Sequence, residues 1–209
     1  MKITLIACLT SLVLLSIFSC NCKQVNLTLE EKAWLNPYRK GDTLVFESNL
    51  KNIDTILVTE KTHFYTNENC NWIEIGTTQD EGINMTLIPK TCHNKFYCEG
   101  EISIIKSPNS ETAPFFRIFG LEHSTASTSD SLIESEISLS TNGKNYKHAY
   151  VVESGVNANN YGNNYLKSFH WDKNEGLIRY EGADGEVFEL VNYLKTGNED
   201  RRDNRNLHR

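Results

Sequence analysis

The chain has 209 residues, of which 39% are hydrophobic, and this length and composition suit one folded domain with its own core. Its formal net charge of -6 argues against a nucleic-acid-binding protein, because such proteins need basic patches to displace counterions from phosphates. The same mild acidity gives no support to electrostatic adhesion to anionic lipids.

The first 19 residues form an apolar leader. Lys2 precedes a run from Ile3 to Phe18 that is interrupted only by hydroxyl side chains. This run is shorter than the roughly 20 residues that cross a bilayer as a helix, and it lacks the polar face of a helix packed on a core. A charged start, an apolar middle and small residues near the end are typical of secretory signals. We therefore predict an export signal peptide at residues 1–19.

The leader ends on a cysteine. The residues Ile17-Phe18-Ser19-Cys20 resemble the lipobox of bacterial lipoproteins. This resemblance implies that Cys20 becomes the first residue of the mature chain and carries acyl chains such as palmitate. The alternative is an ordinary cleavage site beside Cys20. Lipidation predicts a protein of the bacterial cell envelope whose partner is the membrane, with the outer membrane, on its periplasmic or surface face, as the expected location.

A short helix is predicted after the lipidation site. Residues 20–27 are expected to be a polar tether, followed by a single β-rich domain at 28–196. The run Thr28-Leu29-Glu30-Glu31 fits a capping box, in which the Thr28 hydroxyl and the Glu31 carboxylate each accept from the other residue's amide. The helix is expected to pass through Trp34, which packs on the domain with Leu35, and to end before Pro37.

The next elements are predicted to be β-strands. The β-branched and aromatic runs Thr43–Ser48 and Ile53–Thr59 flank a turn-like segment and predict a β-hairpin. Weaker strand patterns occur at 102–106, 115–119 and 137–139, and a stronger strand pattern occurs at 146–152.

The last third has the clearest pattern. Strand-like runs at 165–171, 177–180 and 187–194 are separated by turn signals, which predicts a three-stranded meander. The predicted fold class is therefore all-β, an antiparallel sandwich or partly open barrel with a short N-terminal helix. Residues 197–209 are almost free of apolar side chains, which predicts a disordered polar tail.

Both ends of the domain resemble a known group. The runs Trp34-Leu35-Asn36-Pro37-Tyr38, Gly41–Phe46 and Asp54-Thr55-Ile56 resemble the opening of uncharacterised lipoproteins common in Bacteroidota. The runs Gly176–Glu181 and Asp184–Leu190 resemble the close of the same proteins. The resemblance implies a surface lipoprotein and no activity, and it does not cover the middle of the chain, from about Cys70 to Asn142.

Cysteines outside the leader have several possible pairings. Export exposes Cys22, Cys70, Cys92 and Cys98 to an oxidising compartment, which favours disulfides. A hairpin would bring Cys92 and Cys98 within bonding reach, while Cys70 with Cys92 is the rival pair. These four residues allow three connectivities that the sequence does not separate. A zinc site on Cys70, Cys92, His93 and Cys98 has unfavourable spacing, so no metal is predicted.

Catalytic motifs are absent from the sequence. It contains no Gly-x-Ser-x-Gly elbow, no His-Glu-x-x-His pair and no P-loop, and nothing predicts a cofactor. Acids such as Glu99 with Glu101, or Glu186 with Glu189, are the starting point for a glycosidase hypothesis, but acids on one strand usually form a solvated face. We expect a non-enzymatic lipoprotein, either a binding module or a structural partner. The alternative is an envelope hydrolase, for example one acting on glycans, whose site is built from scattered residues.

One stretch has the composition of a binding loop. Residues 157–165 combine asparagine amides with tyrosine rings, which suit sugars or peptides. The same residues with glycine also make an ordinary flexible loop. The candidate contacts for a glycan or protein partner are Asn160, Tyr161 and Tyr165.

Overall fold

A computed structural model gives the structure of the protein, and it describes residues 22–71, 76–90, 98–107, 111–124, 132–161 and 166–196. The predicted signal peptide at 1–19, the lipidation residue Cys20 and the predicted tail at 197–209 lie outside these ranges. So do Cys92 and Tyr165.

The described residues are organised as β-strands with one short helix, which confirms the predicted all-β class. Neighbouring strands pair antiparallel except for β1, which runs parallel to β4. The helix is α1 (Leu29–Lys32), and the strands are β1 (Lys23–Val25), β2 (Thr43–Ser48), β3 (Ile53–Tyr65), β4 (Thr78–Pro89), β5 (Gly100–Ile105), β6 (Phe115–Ile118), β7 (Leu121–His123), β8 (Ile133–Ser138), β9 (Asn145–Glu153), β10 (Asn159–Asn160), β11 (Leu166–Asp172), β12 (Gly176–Gly182) and β13 (Val187–Leu194).

The thirteen strands of the described ranges belong to one sheet. Its order is β10-β7-β6-β5-β4-β3-β2-β13-β12-β11-β9-β8, with β1 added beside β4. The sheet curls, because β7 from one end of this order lies beside β9 and β11 from the other. The result is a partly open barrel whose concave side holds the core. The largest fully buried side chains are Trp171, Tyr38, Phe46, Phe116, Phe119 and Phe169.

The N-terminal helix leads into a segment that fills the concave side. Thr28 and Glu31 form the predicted capping box, with Glu31 N–H donating to Thr28 Oγ1 at 3.2 Å and Thr28 N–H donating to Glu31 Oε2 at 2.7 Å. Beyond the helix, Leu35 and Tyr38 are fully buried. The indole N–H of Trp171 donates to the backbone oxygen of Trp34 at 3.2 Å. The helix itself is short and buries none of its own residues, so the chain after it provides the packing.

The predicted hairpin and meander are both present and lie side by side. Strands β2 and β3 pair antiparallel, as do β11, β12 and β13. Strand β13 then pairs with β2, with Leu190 opposite Phe46, which joins the two ends of the chain in the middle of the sheet. Across this join the Tyr180 hydroxyl donates to Asp54 Oδ2 at 2.6 Å, which satisfies a carboxylate that is 4% exposed.

Strand β4 was not predicted from the sequence. Its second half alternates buried Ile83, Met85 and Leu87 with less buried residues, but its first half is polar and includes Gly82. The ring of Phe64 covers Gly82 so closely that an added Cβ would lie 2.5 Å from its Cζ atom. The glycine therefore allows the cross-strand aromatic ring to lie on the backbone of β4.

Candidate functional site

The first described residue is covalently bonded to a cysteine that follows β3 in sequence. Cys22 forms a disulfide with Cys70, with their Cα atoms 5.5 Å apart and a sequence separation of 48. The rival pairing of Cys70 with Cys92 was therefore wrong. In the chain-entropy description, closing a loop of this length stabilises the fold by about 4 kcal/mol.

Strand β1 continues this attachment. Lys23, Gln24 and Val25 pair in parallel with residues 78–80 of β4, beyond the point where β5 ends, so β1 covers an otherwise open edge. Leu27 is 5% exposed. The prediction of a polar tether at 20–27 was therefore wrong for residues 22–27, because strand pairing and a disulfide outweigh the polar composition of this segment.

A buried carboxylate holds the end of this segment. Glu81 of β4 is 1% exposed, and its Oε2 accepts the backbone N–H of Leu27 at 2.6 Å. Its Oε1 lies 2.6 Å from Nζ of Lys32 and accepts a short hydrogen bond from His63 Nε2. One carboxylate therefore connects α1, β3 and the chain after β1.

The electrostatics of Glu81 favour its charged form. Burial opposes ionisation, but the hydrogen bonds from Lys32, His63 and the Leu27 amide outweigh it, so the pKa of Glu81 lies below its ordinary value of 4.5. A charged carboxylate with three donors is the stable state of this cluster at neutral pH. Its arrangement is that of a structural link, since all three partners belong to the fold.

The predicted binding stretch divides into a structural part and an exposed part. Asn157 is 3% exposed, donates to Val151 O at 2.8 Å, and has its own carbonyl bound by His123 Nδ1 at 2.6 Å. Asn160 pairs with β7 and donates its side-chain amide to Leu166 O at 2.9 Å. Tyr161, in contrast, is 64% exposed, and its backbone N–H donates to Gly120 O. Of the predicted contacts, the structure therefore presents the Tyr161 ring to solvent.

The remaining cysteines bear on the predicted Cys92–Cys98 disulfide and on the zinc hypothesis. Cys98 takes part in a disulfide, while Cys92 lies outside the described ranges, so the Cys92–Cys98 pairing stays a prediction. The zinc hypothesis needed free thiolates at Cys70 and Cys98, and both are oxidised. Within the described ranges, no group of three or more histidine, cysteine, aspartate or glutamate side chains is placed to hold a metal ion.

The acids of the glycosidase hypothesis are engaged in separate contacts. Glu101 lies 3.2 Å from Arg117 on the surface, and Glu186 Oε1 accepts from Asn52 at 2.8 Å. Glu189 Oε2 accepts from the Ser140 hydroxyl at 2.8 Å and from the Thr141 amide at 3.0 Å. These acids act as hydrogen-bond acceptors and ion-pair partners within the fold.

A row of three polar side chains that crosses β11, β12 and β13 was not predicted from the sequence. His170, Arg179 and Glu189 lie directly opposite one another on β11, β12 and β13, and so share one face. Within the described part of the chain, the buried atoms His170 Nδ1, Arg179 Nε and Thr141 Oγ1 have no hydrogen-bond partner. Burial, and next the charge of Arg179, lower the pKa of His170 to about 4. The register that builds this row depends on the bulges of β11, which a single sequence does not reveal.

The comparisons with known proteins add no relative. No protein-family model matches the chain, and neither a curated protein nor a solved structure matches it. Within the residues that the structure describes, no helix is both long and apolar enough to span a bilayer.

Proposed function

We propose that the protein is a non-enzymatic lipoprotein of the bacterial cell envelope, anchored by acyl chains on Cys20 after removal of residues 1–19. Its resemblance to uncharacterised Bacteroidota lipoproteins agrees with this proposal. The domain then serves as a binding or structural module at the membrane surface.

The disulfide between Cys22 and Cys70 is the observation that carries the proposal. Disulfides form and persist in oxidising compartments outside the cytosol, and a second one involves Cys98. A disulfide two residues after the lipobox cysteine supports export of the chain. It also means that a lipid on Cys20 would be joined directly to a folded domain.

The anchoring is tested with a cysteine substitution in the leader region. Wild-type protein is expected to incorporate a labelled fatty acid and to sediment with membranes, whereas Cys20→Ala does neither. Cys8→Ala is the matched control, because it removes another cysteine of the N-terminal region and is expected to keep both properties. A wild-type protein that is unlabelled and soluble would overturn the proposal.

The exposed side chains near β10 support the binding role. Tyr161 is 64% exposed and Val156 of the preceding loop is 57% exposed, and neither side chain is needed for core packing. A flat aromatic ring offers a stacking face for a sugar at low entropic cost. We assign Tyr161 to the contact with an envelope glycan, and a protein partner is the alternative.

The binding role is tested with soluble fragments of envelope polysaccharide. Titration calorimetry is expected to show binding to the wild type and a loss of affinity in Tyr161→Ala. Leu50→Ala is the matched control, because Leu50 is 65% exposed on a different turn. Unchanged binding to Tyr161→Ala, or no binding to the wild type, would contradict the assignment to a glycan.

A further inference from the structure

We propose that the free edge of β8 binds an extended segment of a partner protein in which basic and apolar side chains alternate. The segment adds a strand to the sheet beside β8, a mode of recognition in which backbone hydrogen bonds give affinity and side chains give specificity. This surface does not include Tyr161, so the inference goes beyond the proposed glycan contact. It also does not depend on the acylation of Cys20.

Strand β8 is the last strand at one end of the sheet. It pairs antiparallel with β9, and its serine side chains bond to β9 as well: the Ser135 hydroxyl donates to Ala149 O at 3.5 Å, and the Ser138 hydroxyl donates to Asn145 Oδ1 at 3.2 Å. Within the described ranges, no strand pairs with the other side of β8. That side therefore presents backbone N–H and C=O groups that can pair with an added strand.

Strand β8 is long and regular enough to pair with a further strand. Its 6 residues span roughly 20 Å at about 3.3 Å per residue, whereas β10, at the other end of the sheet order, has 2 residues. The register with β9 shifts where Ser135 pairs with Ala149 and Ile137 pairs with Tyr146. The extra residue at this shift belongs to β9, so the bulge lies in β9 and β8 keeps its regular alternation.

Both charged side chains of β8 are acidic and exposed. Glu134 and Glu136 are two residues apart, so they lie on one face of the strand. Glu134 contacts His148 Nδ1, and Glu136 Oε1 accepts from Asn145 Nδ2 at 2.8 Å. Among the described residues, no lysine or arginine pairs with either carboxylate, although Lys147 belongs to the neighbouring strand. The face therefore offers two carboxylates to a basic partner.

These acids favour a basic partner over a second copy of the chain. If β8 of a second copy were added, Glu134 and Glu136 would lie beside another acidic strand, and like charges on neighbouring strands are destabilising. The net charge of -6 adds to this repulsion. A lysine or arginine opposite each acid forms a cross-strand ion pair instead. The acids thus protect the edge from self-association and leave it open to a basic strand.

The opposite face of β8 sets the other half of the pattern. Ile133 is 42% exposed and lies on the face away from Glu134. An apolar side chain of the added strand would cover this isoleucine and remove apolar surface from water. The segment that fits β8 therefore alternates basic side chains on one face with apolar side chains on the other.

Labelled peptides test the strand addition on the full-length protein. The probe is the fluorescent hexapeptide acetyl-Val-Lys-Val-Lys-Val-Thr-amide, and its twin has glutamate in place of both lysines. Fluorescence anisotropy is expected to show saturable binding of the lysine peptide and about tenfold weaker binding of the glutamate twin. Absence of binding by the lysine peptide, or equal binding of the two peptides, would overturn the proposal.

Charge reversal on β8 locates the binding site. Glu134→Lys combined with Glu136→Lys is expected to reverse the preference, so that the glutamate twin binds more tightly. Glu60→Lys combined with Glu68→Lys is the matched control, because it changes the net charge equally at exposed acids elsewhere and should keep the preference for lysine. A β8 variant that still prefers the lysine peptide would contradict the assignment to this edge.

Methylation of the peptide backbone tests the hydrogen bonds of the added strand. Alternate amides of a strand point to opposite sides, so methyl groups on the even-numbered nitrogens block one edge of the peptide and those on the odd-numbered nitrogens block the other. One isomer is expected to bind and the other is expected to lose binding. Equal affinities of the two isomers would show that the peptide does not bind as a strand.

Amide hydrogen exchange identifies the occupant of the edge. The lysine peptide is expected to slow exchange in residues 133–138, while the protein alone sediments as a monomer. Self-association that slows exchange in residues 133–138 without peptide would overturn the proposal in favour of a second copy. Acyl labelling and glycan titration are separate measurements, so failure of the peptide to bind leaves the proposed anchor and the Tyr161 contact intact.

Discussion

The backbone N–H of Leu27 donates a 2.6 Å hydrogen bond to Oε2 of Glu81, a residue that is 1% exposed. Since Lys32 and His63 also donate to this carboxylate, Glu81→Gln removes the charge that satisfies all three donors. We expect a loss of about 2 kcal/mol in the free energy of unfolding, measured by denaturant titration. Amide hydrogen exchange should also accelerate in residues 23–27.

Glu101→Gln is the control for this substitution, because the pair of Glu101 with Arg117 is half-exposed. Its effect on the unfolding free energy should stay within about 0.5 kcal/mol. Equal losses of unfolding free energy in the two variants would contradict a larger stabilising role for Glu81.

Glu31 makes the capped helix sensitive to acid. Burial opposes its ionisation, but hydrogen bonds from Lys106 and from Thr28 lower its pKa from 4.5 to about 2. A lowered carboxyl pKa contributes stability that is complete above about pH 4.5 and is lost as the pH falls toward 2. Glu31→Gln should therefore be less stable than the wild type at pH 7, and the difference should vanish near pH 2.

Unfolding titrations from pH 7 to pH 2 check this dependence. Glu30→Gln, which also removes an acid from the first turn of the helix at an exposed position, is the matched control. A Glu31→Gln difference that is constant with pH would contradict the assignment.

His170 should make the fold lose stability at a higher pH than the carboxylates do. Its pKa falls from 6.5 to about 4, chiefly through burial. Between these values the unfolded chain binds a proton that the folded chain does not, so stability decreases as the pH falls from 6.5 to 4. At 1.36 kcal/mol per pKa unit this amounts to at most about 3 kcal/mol, because part of the ring contacts solvent.

Proton NMR titration of the His170 imidazole gives its pKa directly. His170→Gln should flatten the stability curve between pH 6.5 and 4. A measured His170 pKa near 6.5 would be inconsistent with the burial of this ring.

Gly176 connects the meander to the buried aromatic cluster. Its φ of +80° favours glycine, and an added Cβ would overlap the hydroxyl of Tyr38, which accepts the Leu177 N–H at 2.6 Å. Gly176→Ala should therefore cost about 3 kcal/mol or more in the free energy of unfolding.

Gly185→Ala separates the cost of a positive φ from the cost of overlap with Tyr38. Gly185 has a similar φ of +86° but no atom within 4 Å of an added Cβ, so its substitution should cost only about 1 kcal/mol. Comparable Tm losses in the two variants would mean that Tyr38 moves aside.

The sequence predicted the elements whose pattern is local. The hairpin of β2 and β3 and the meander of β11 to β13 follow from β-branched runs and turn residues, and both are present. Strand β4 was missed because its polar first half depends on pairing with β1 on one edge and β3 on the other, with the Phe64 ring over Gly82. These are tertiary contacts, and no short window of sequence contains them.

The attachment of residues 22–27 to the rest of the fold was not predicted for the same reason. Residues 22–27 are polar in composition, yet Cys70 and Glu81, far along the chain, fix them in place. The exposure of Tyr161 agrees with a loop rich in asparagine and tyrosine, whereas the structural use of Asn157 and Asn160 depends on β7 and β9.

The pairing of β2 with β13 also controls when the protein can fold. Strand β2 begins at Thr43 and its neighbour β13 begins at Val187, so the middle of the sheet requires residues from both ends of the domain. Such long-range pairing slows folding, because loop closure must precede the contacts that reward it. A chain that emerges N-terminus first therefore leaves the β2 edge unpaired until its last strand arrives. Under the proposed export, this delay favours translocation, because a narrow translocation channel threads an unfolded polypeptide.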